Sequence, residues 1–157
     1  MRIGVISDTH VHSLEEISDE VIKILKETDL IIHCGDYTGI EVVYGLKKLK
    51  DFVGVYGNMD PPTIKKMLPA EKVIEIEGFK VGITHGYYLF GERKLREKFK
   101  DTDVTLSGHT HLCKYDLKGN VHYLNPGSAT GKFPALYKSV GILEIEKEIK
   151  GEIIKIR

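Results

Sequence analysis

Seven side chains in the sequence have the chemistry of metal ligands, and each stands just after a predicted strand. Asp8 and His10 lie two residues apart, as do His109 and His111, and in extended backbone such pairs point the same way. The others adjoin glycines, which permit the sharp turn that brings a side chain into a crevice. The predicted ligands are Asp8, His10, Asp36, Asn58, His85, His109 and His111.

These residues combine two carboxylates, one amide oxygen and four imidazoles. Such a mixture suits borderline divalent ions, and we expect manganese, with nickel, iron, cobalt or zinc as alternatives. Seven donors exceed what one tetrahedral ion takes, so we expect two divalent metal ions that share Asp36. Thiolate chemistry is not indicated, because Cys34 and Cys113 form no Cys-x-x-Cys pattern.

Apolar runs predict the elements that position the first donors. The runs Ile3 to Ser7, Leu30 to Cys34 and Phe52 to Tyr56 are typical of strands buried on both faces. A helix that starts with a capping box at Ser13 separates the first two runs, and a helix over Ile40 to Leu49 separates the last two. Parallel strands joined in this way have their ligand sites at their carboxyl ends.

A different pattern fills the second half of the chain. Strands over Val73 to Ile76 and Phe79 to Ile83 flank a turn at Glu77 and Gly78, as in an antiparallel hairpin. The later predictions are a helix over Lys94 to Phe99, a strand over Val104 to Ser107, a hairpin over Lys118 to Asn120, and strands over Val140 to Ile145 and Glu152 to Ile156. Layers of sheet covered by helices follow from this pattern.

The composition predicts one globular domain over residues 1–157, with 41% hydrophobic and 29% charged residues. Lys plus Arg equals Asp plus Glu at 23 each, so no extended nucleic-acid surface is indicated. No apolar run approaches the roughly 20 residues that span a bilayer. The start reads as a first strand and not as a signal peptide, so we expect a cytoplasmic protein with no membrane partner.

The ordered motifs Asp-x-His, Gly-Asp, Gly-Asn, a glycine-flanked His and Gly-His-x-His resemble the signature of the calcineurin-like metallophosphoesterase superfamily. Short length and the segment Asn125 to Ser128 make the chain similar, over nearly its whole length, to the YfcE/MJ0936-type phosphodiesterase (VPS29-like) family. This resemblance implies an α/β fold, a four-layered α/β/β/α sandwich with two mixed sheets.

The resemblance also implies roles for the predicted ligands. The first ion would be held by Asp8, His10, Asp36 and His111, and the second by Asp36, Asn58, His85 and His109. Catalysis would run through Asp36, Asn58 and His109, by attack of a dinuclear-metal-bound hydroxide on a phosphodiester bond. We expect a small phosphodiester or nucleotide as substrate and a homo-oligomer such as a dimer.

Met59 departs from the family pattern. Many superfamily members have histidine after Gly-Asn, where it is thought to protonate the leaving oxygen, and methionine cannot transfer a proton. A missing general acid commonly costs about 10²–10⁴-fold. We therefore predict a preference for phosphodiesters with good leaving groups, such as aryl diesters.

Several neighbouring residues have two interpretations each. Asp60 is a turn residue or an outer-sphere group, and Tyr87 and Tyr88 either cover a loop or stack on a nucleobase or aryl group. His12 is predicted to be structural, although it is close to Asp8 and His10 and could touch substrate without binding metal. His33 and His122 are predicted to be structural.

Two classes of function compete. The first is a metal-dependent hydrolase of phosphodiesters, with a phosphomonoesterase or pyrophosphohydrolase as the nearest enzymatic alternative. The second is a VPS29-like protein-interaction scaffold with a vestigial metal site. None of the family's ligands is missing, which favours the enzyme.

Overall fold

The structure, a computed structural model, describes residues 1–89 and 91–157. Within these residues the strands are β1 (Arg2–Ile6), β2 (Leu30–His33), β3 (Asp51–Gly54), β4 (Glu71–Ile76), β5 (Phe79–Thr84), β6 (Val104–Leu106), β7 (Lys114–Lys118), β8 (Val121–Asn125), β9 (Lys138–Ile145) and β10 (Ile149–Ile156). The α-helices are α1 (Asp19–Lys26), α2 (Ile40–Leu49), α3 (Pro62–Met67) and α4 (Glu92–Lys98).

The strands form two sheets, and both sheets are mixed. The first has the order β10-β9-β1-β2-β3, in which β1, β2 and β3 are parallel and β9 runs antiparallel to β1. The second has the order β4-β5-β6-β8-β7, in which β5, β6 and β8 are parallel and both edge strands are antiparallel. The carboxyl ends of the parallel strands in each sheet therefore share one edge.

Alternating side chains of the central strands fill two separate cores. Ile3 and Val5 of β1, with Ile32 of β2, are fully buried between the two sheets. Ile6 and Ile31 point to the opposite face and pack against the helices. Both faces of these strands are covered, which explains why their sequences are continuous apolar runs.

Helices cover the outer face of each sheet. The apolar sides of α1, α2 and α3 pack on the first sheet. On the second sheet, Phe99 at the end of α4 lies against Gly82, where a Cβ atom would come within 2.4 Å of the Phe99 ring. The molecule is thus the predicted four-layered α/β/β/α sandwich.

One local prediction was wrong, and one short helix was not predicted. The capping box at Ser13 is present, with Glu16 accepting a bond from the Ser13 N–H at 3.1 Å, but it caps only a 3-10 turn over Leu14–Glu16. Extended backbone at Ser18 interrupts the predicted helix, and α1 starts one residue later. The sequence analysis also missed α3, because its six residues are too few to display a helical period.

Among the described residues, none of the helices has the length and apolar character needed to cross a membrane.

Truncating a buried side chain of α2 tests the helix-facing core. Leu46 is 0% exposed, and Leu46→Ala should lower the free energy of unfolding by about 2–5 kcal/mol because it removes buried methyl groups and leaves a cavity. Urea denaturation measures this value. The exposed neighbour Lys48 provides the control, since Lys48→Ala should change stability by less than about 0.5 kcal/mol. Equal effects of both substitutions would contradict the packing described.

Candidate metal centre

The five strand ends that carry the predicted ligands meet at one place between the two sheets. The first sheet contributes the segments after β1, β2 and β3, and the second contributes those after β5 and β6. The parallel arrangement brings these ends to a common edge in each sheet, as is usual for ligand sites in α/β folds.

Two carboxylates lie among the imidazole rings. The Asp36 Oδ2 atom lies 3.2 Å from Nε2 of His85 and 3.6 Å from Nε2 of His10. The Asp8 Oδ1 atom lies 3.3 Å from Nε2 of His111 and 3.9 Å from the Nε2 atoms of His10 and His85. Asp36 thus stands between an imidazole of the first predicted ligand set and an imidazole of the second.

Ligand atoms of the described residues converge in two groups, each within 4.8 Å. The groups are Asp8, His10 and His111, and Asp8, Asp36 and His85. The first lies within the ligand set predicted for the first ion. The second adds Asp8 to the predicted pair of Asp36 and His85, so Asp8 is more central than expected.

Asn58 and His109 lie beside His85, at the exposed side of the site. The Asn58 Oδ1 atom is 3.1 Å from Nε2 of His85, and the His109 ring centroid is 5.3 Å from that of His85. Both side chains are exposed, whereas His85 is fully buried. A ligand arriving from solvent therefore meets Asn58 and His109 first.

Asp8 carries an unsatisfied buried atom. Its side chain is 0% exposed, and its Oδ1 atom has no hydrogen-bond partner among the described residues. Its Oδ2 atom accepts a bond from the His109 N–H at 3.0 Å. A buried carboxylate oxygen without a partner is unfavourable, and a cation between Asp8 and the surrounding ring nitrogens would satisfy it. The donors present therefore fit divalent metal ions.

Backbone carbonyls fix the orientation of two histidines. The Nδ1 atom of His85 lies 2.8 Å from the Cys34 carbonyl oxygen, and Nδ1 of His111 lies 2.8 Å from that of Lys132. A carbonyl only accepts, so each Nδ1 carries the proton and donates it. The Nε2 lone pairs then face the carboxylates, as metal ligation requires.

The extended geometry predicted for the paired ligands is wrong. Five of the seven residues have left-handed backbone, with φ values of +51° at Asp8, +46° at His10, +61° at Asp36, +70° at His109 and +59° at His111. The chain bends at each ligand after its strand has ended, and these bends bring the side chains together. Non-glycine residues in this region carry strain that the surrounding structure must hold in place, and such strain is typical of functional sites.

The glycines of the motifs allow backbone segments to approach the carboxylates closely. A Cβ atom on Gly57 would come within 2.1 Å of Asp36 Oδ1. A Cβ atom on Gly108 would come within 2.0 Å of Ser7 Oγ and 2.9 Å of Asp8 Oδ2. Any larger residue would displace a ligand.

Asp60 connects the loops that carry Asp36 and Asn58. It is 3% exposed, and its carboxylate accepts four backbone N–H bonds of 2.7 to 2.9 Å, from Gly57, Asp36, Tyr37 and Thr38. The sequence analysis left Asp60 between a turn residue and an outer-sphere group. The second interpretation agrees with these bonds, because Asp60 holds the backbone of a ligand and touches none of the ligand side-chain atoms.

Met59 contributes through its backbone. Its side chain is 60% exposed, while its N–H donates to Asp36 Oδ1 at 2.8 Å. This bond leaves Asp36 Oδ2 free to face the histidines. Sequence reasoning missed it, because a backbone donor leaves no residue-type signal.

Burial, hydrogen bonds and neighbouring charges shift the pKa values of the site residues. Burial raises the pKa of Asp36, but the hydrogen bond and charge of His85 and the Met59 N–H outweigh it, and the pKa lies below its usual value. Burial lowers the pKa of His85, but the Asp36 hydrogen bond and the Asp8 charge raise it above the usual value. The Asp8 carboxylate, whose Oδ1 atom lies 3.3 Å from Nε2 of His111, likewise raises the pKa of His111. Asp36, His85 and His111 thus have their charged forms stabilised by their neighbours, whereas burial lowers the pKa of His10 and His109.

Two other histidines have structural surroundings. His33 is 0% exposed, stacks on Tyr37 with ring centroids 3.7 Å apart, and has Thr9 Oγ1 at 3.1 Å. His122 lies 2.6 Å from the Tyr115 hydroxyl. Burial lowers the pKa of both rings, so they are neutral packing groups, as predicted.

The two tyrosines after Gly86 have different surroundings. Tyr87 lies beside the site, with its ring centroid 6.2 Å from that of His85 and 6.5 Å from that of His109. Tyr88 instead donates its hydroxyl to Glu71. Only Tyr87 is placed to contact a group bound at the exposed side of the site.

The α/β/β/α sandwich, with buried carboxylates and imidazoles at its strand ends, defines a metal-binding hydrolase. The chain belongs to the calcineurin-like phosphoesterase superfamily, whose domain model matches residues 1–148. It is a metal-dependent phosphoesterase.

Similar proteins support this assignment. The chain is 40% identical to the probable metallophosphoesterase MJ0623 of Methanocaldococcus jannaschii, covering 99% of this chain and 82% of that protein. It is 30% identical to phosphodiesterase MJ0936 of the same organism, covering 98% and 99%. The crystal structure of Vps29 from Entamoeba histolytica, complexed with Zn²⁺, superposes with a TM-score of 0.79 at 26% identity, covering 99% of both chains.

Asp60→Asn tests how far metal affinity depends on the loop connection. An amide has one acceptor oxygen in place of two and presents its NH₂ group to backbone donors, so some N–H groups lose their partner. We expect the affinity for Mn²⁺ to fall by about 10–100-fold. Competition with a chromophoric chelator measures this without an activity assay.

The exposed Asp51 offers a control of the same chemistry. Asp51→Asn should leave the affinity for Mn²⁺ unchanged. An Asp60→Asn protein that binds Mn²⁺ as tightly as the native chain would show that the bonds to Asp60 serve stability alone.

Proposed function

We propose that this chain is a phosphodiesterase that works with two divalent metal ions. The observation that carries the proposal is the position of Asp36 Oδ2, between the Nε2 atoms of His10 and His85, beside the unsatisfied Asp8 Oδ1. A carboxylate flanked by histidines on both sides is what a bridging ligand requires. The relative MJ0936 is named a phosphodiesterase.

In the proposed arrangement the first ion takes Asp8, His10, Asp36 and His111, and the second takes Asp36, Asn58, His85 and His109. The mixed oxygen and imidazole donors favour manganese, with nickel, iron, cobalt or zinc as alternatives. When bound, two such ions supply a nucleophilic water of lowered pKa and neutralise charge growing on phosphorus.

The residues divide into an internal frame and an exposed face. Asp8, Asp36 and His85 are buried and hold the charge of the site in a fixed place. Asn58 and His109 are exposed and can contact both an ion and the phosphoryl oxygens of a substrate. We assign Asn58 and His109 as catalytic on this basis, and Asp36 because its carboxylate would be shared by the two ions.

Met59 determines which leaving groups are tolerated. Its thioether has no proton to give, and it stands exposed beside Asn58, where relatives with histidine have a proton donor. An aryl oxide leaves without protonation, whereas an alkoxide does not. The proposed substrates are therefore diesters with good leaving groups.

Asp36→Asn tests the bridging assignment. The substitution removes the negative charge between both ion positions, and hydrolysis of bis-p-nitrophenyl phosphate should fall to the level without enzyme. Asp19, exposed at the start of α1, gives the control Asp19→Asn, which should retain the native rate. Full activity of Asp36→Asn would rule out the bridging role.

The same assay tests the substrate class. Aryl monoesters and aryl diesters are offered to protein that has been stripped with chelator and reloaded with each of several divalent metals. We expect diester turnover that is highest with manganese. Faster turnover of monoesters would instead favour the phosphomonoesterase alternative.

Met59→His restores a proton donor next to Asn58. We expect kcat for diesters with alkyl leaving groups to rise by about 10²-fold or more, because a general acid contributes most where the leaving group is poor. Aryl diesters should change little. Met59→Leu, which adds no proton donor, should leave both rates as they are. An unchanged rate for alkyl leaving groups in Met59→His would overturn this account of specificity.

An interaction scaffold is the second candidate, because large apolar side chains are exposed near the site. Phe133 is 92% and Leu136 is 88% exposed, in the segment that follows Lys132, whose carbonyl orients His111. Exposed apolar groups of this size favour protein contact. A protein that binds metal but hydrolyses no ester would favour the scaffold function.

The single domain over residues 1–157, the homo-oligomer and the cytoplasmic location stay predictions.

A further inference from the structure

A cavity of about 520 Å³ opens beside His85 and His109. It extends between α4 and the outer face of the second sheet, with walls from α4, β7 and β8. Its volume lies in the range of about 300–1,000 Å³ that is typical of small-molecule sites. A phosphoryl group at the metal centre would leave nearly all of this space to one of its ester arms.

The walls are largely aromatic and aliphatic. Tyr87 stands at the metal end, Leu95 comes from α4 and Tyr123 from β8, and Leu89 and Leu112 add to the apolar lining. Flat apolar surfaces of this kind favour a planar ring, because ring faces stack on aromatic side chains.

Polar groups stand among these apolar walls. The hydroxyls of Tyr87 and Tyr123 and the guanidinium of Arg96 belong to lining residues. These groups can bond to the ring nitrogens and carbonyls of a nucleobase or to the hydroxyls of a sugar. A plain hydrocarbon ring would offer none of these groups a hydrogen bond.

Ion pairs join α4 and β7, two walls of the cavity. Glu92 of α4 pairs with Lys114 and with Lys118 of β7, the latter at 3.0 Å, and Asp116 lies 2.8 Å from Lys114. The pairs connect α4 to β7, which holds the walls in place without a ligand. The lysines are paired with carboxylates in this network, so this part of the cavity does not favour a strongly anionic group.

We propose that the cavity binds the nucleoside arm of the substrate, with its phosphoryl group at the metal centre. This inference rests on the proposed function and names its substrate class as nucleotide diesters. The two tyrosines and the leucines of the walls, the polar groups between them and the volume together favour a base and sugar over a small alkyl arm.

Two ligands that differ only in the base test the inference. The binding of AMP and of ribose 5-phosphate to the manganese-loaded protein is measured by calorimetry. We expect AMP to bind at least about tenfold more tightly, since stacking of a base on aromatic side chains has an effect of this size. Equal dissociation constants would overturn the proposal.

A substitution that fills the cavity tests whether the base of AMP binds there. Leu95→Trp should remove the preference for AMP, because the larger side chain occupies the space of the base. Arg93 is on the same helix with its side chain 88% exposed, outside the cavity, and Arg93→Ala should retain the preference. A preference that survives Leu95→Trp would place the base elsewhere.

The tryptophan in Leu95→Trp could displace α4 and so remove the preference for AMP indirectly. The binding site in the native protein is therefore also mapped by amide chemical shifts. We compare the amide shifts caused by AMP with those caused by ribose 5-phosphate. The shifts caused by AMP should be larger at Leu95, Leu112 and Tyr123. Perturbations confined to other parts of the chain would contradict the proposal.

Binding of AMP requires no turnover, so the two conclusions fail separately. A preference for AMP without hydrolysis of any diester would support the cavity and remove the proposed phosphodiesterase function. Diester hydrolysis with equal binding of AMP and ribose 5-phosphate would retain the function and overturn the cavity assignment.

Discussion

The structure around the site depends on two carboxylates that are buried close together at one edge of the first sheet. Asp8 and Asp36 are 0% and 2% exposed and face the same imidazole rings. Like charges in a poorly solvated place repel strongly, so the site depends on nearby positive charge and on hydrogen bonds to the ionised forms. In the metal-free protein, His85 and His111, whose pKa values are raised here, provide that positive charge. Bound divalent ions would take over this role when the rings are neutral ligands, and the unsatisfied Asp8 oxygen marks where a cation is needed.

The surrounding architecture holds these charges in place. Left-handed backbone at a carboxylate or imidazole residue is unfavourable alone, and it persists because the loops are tied down. Asp60 ties the loop after β2 to the loop after β3, and the Met59 N–H fixes one oxygen of Asp36. Beneath these loops, the tightly packed strands leave little freedom for the ends to separate.

Burial and exposure divide the site between structure and chemistry. The buried side contains charges that a protein can hold only with precise partners, and the exposed side presents Asn58 and His109 to solvent. Tyr87 and the cavity under α4 continue that exposed side. Specificity can therefore vary along α4 and its neighbouring strands while the buried frame stays the same, which separates the reaction from the choice of substrate.

The sequence alone determined the layered α/β fold and the residues that meet at the site, because continuous apolar runs and glycine-flanked donors are local signals. It did not determine how the donors converge, since the left-handed bends at Asp8 and His10 replace the extended geometry that their spacing predicted. The role of Asp60 depends on donors from two loops about twenty residues apart in the chain, and such contacts exist only after folding. The cavity likewise requires α4 to lie on the second sheet. The identity of the ligand residues is therefore visible in the local sequence. The distances between them and their hydrogen-bond partners depend on tertiary packing.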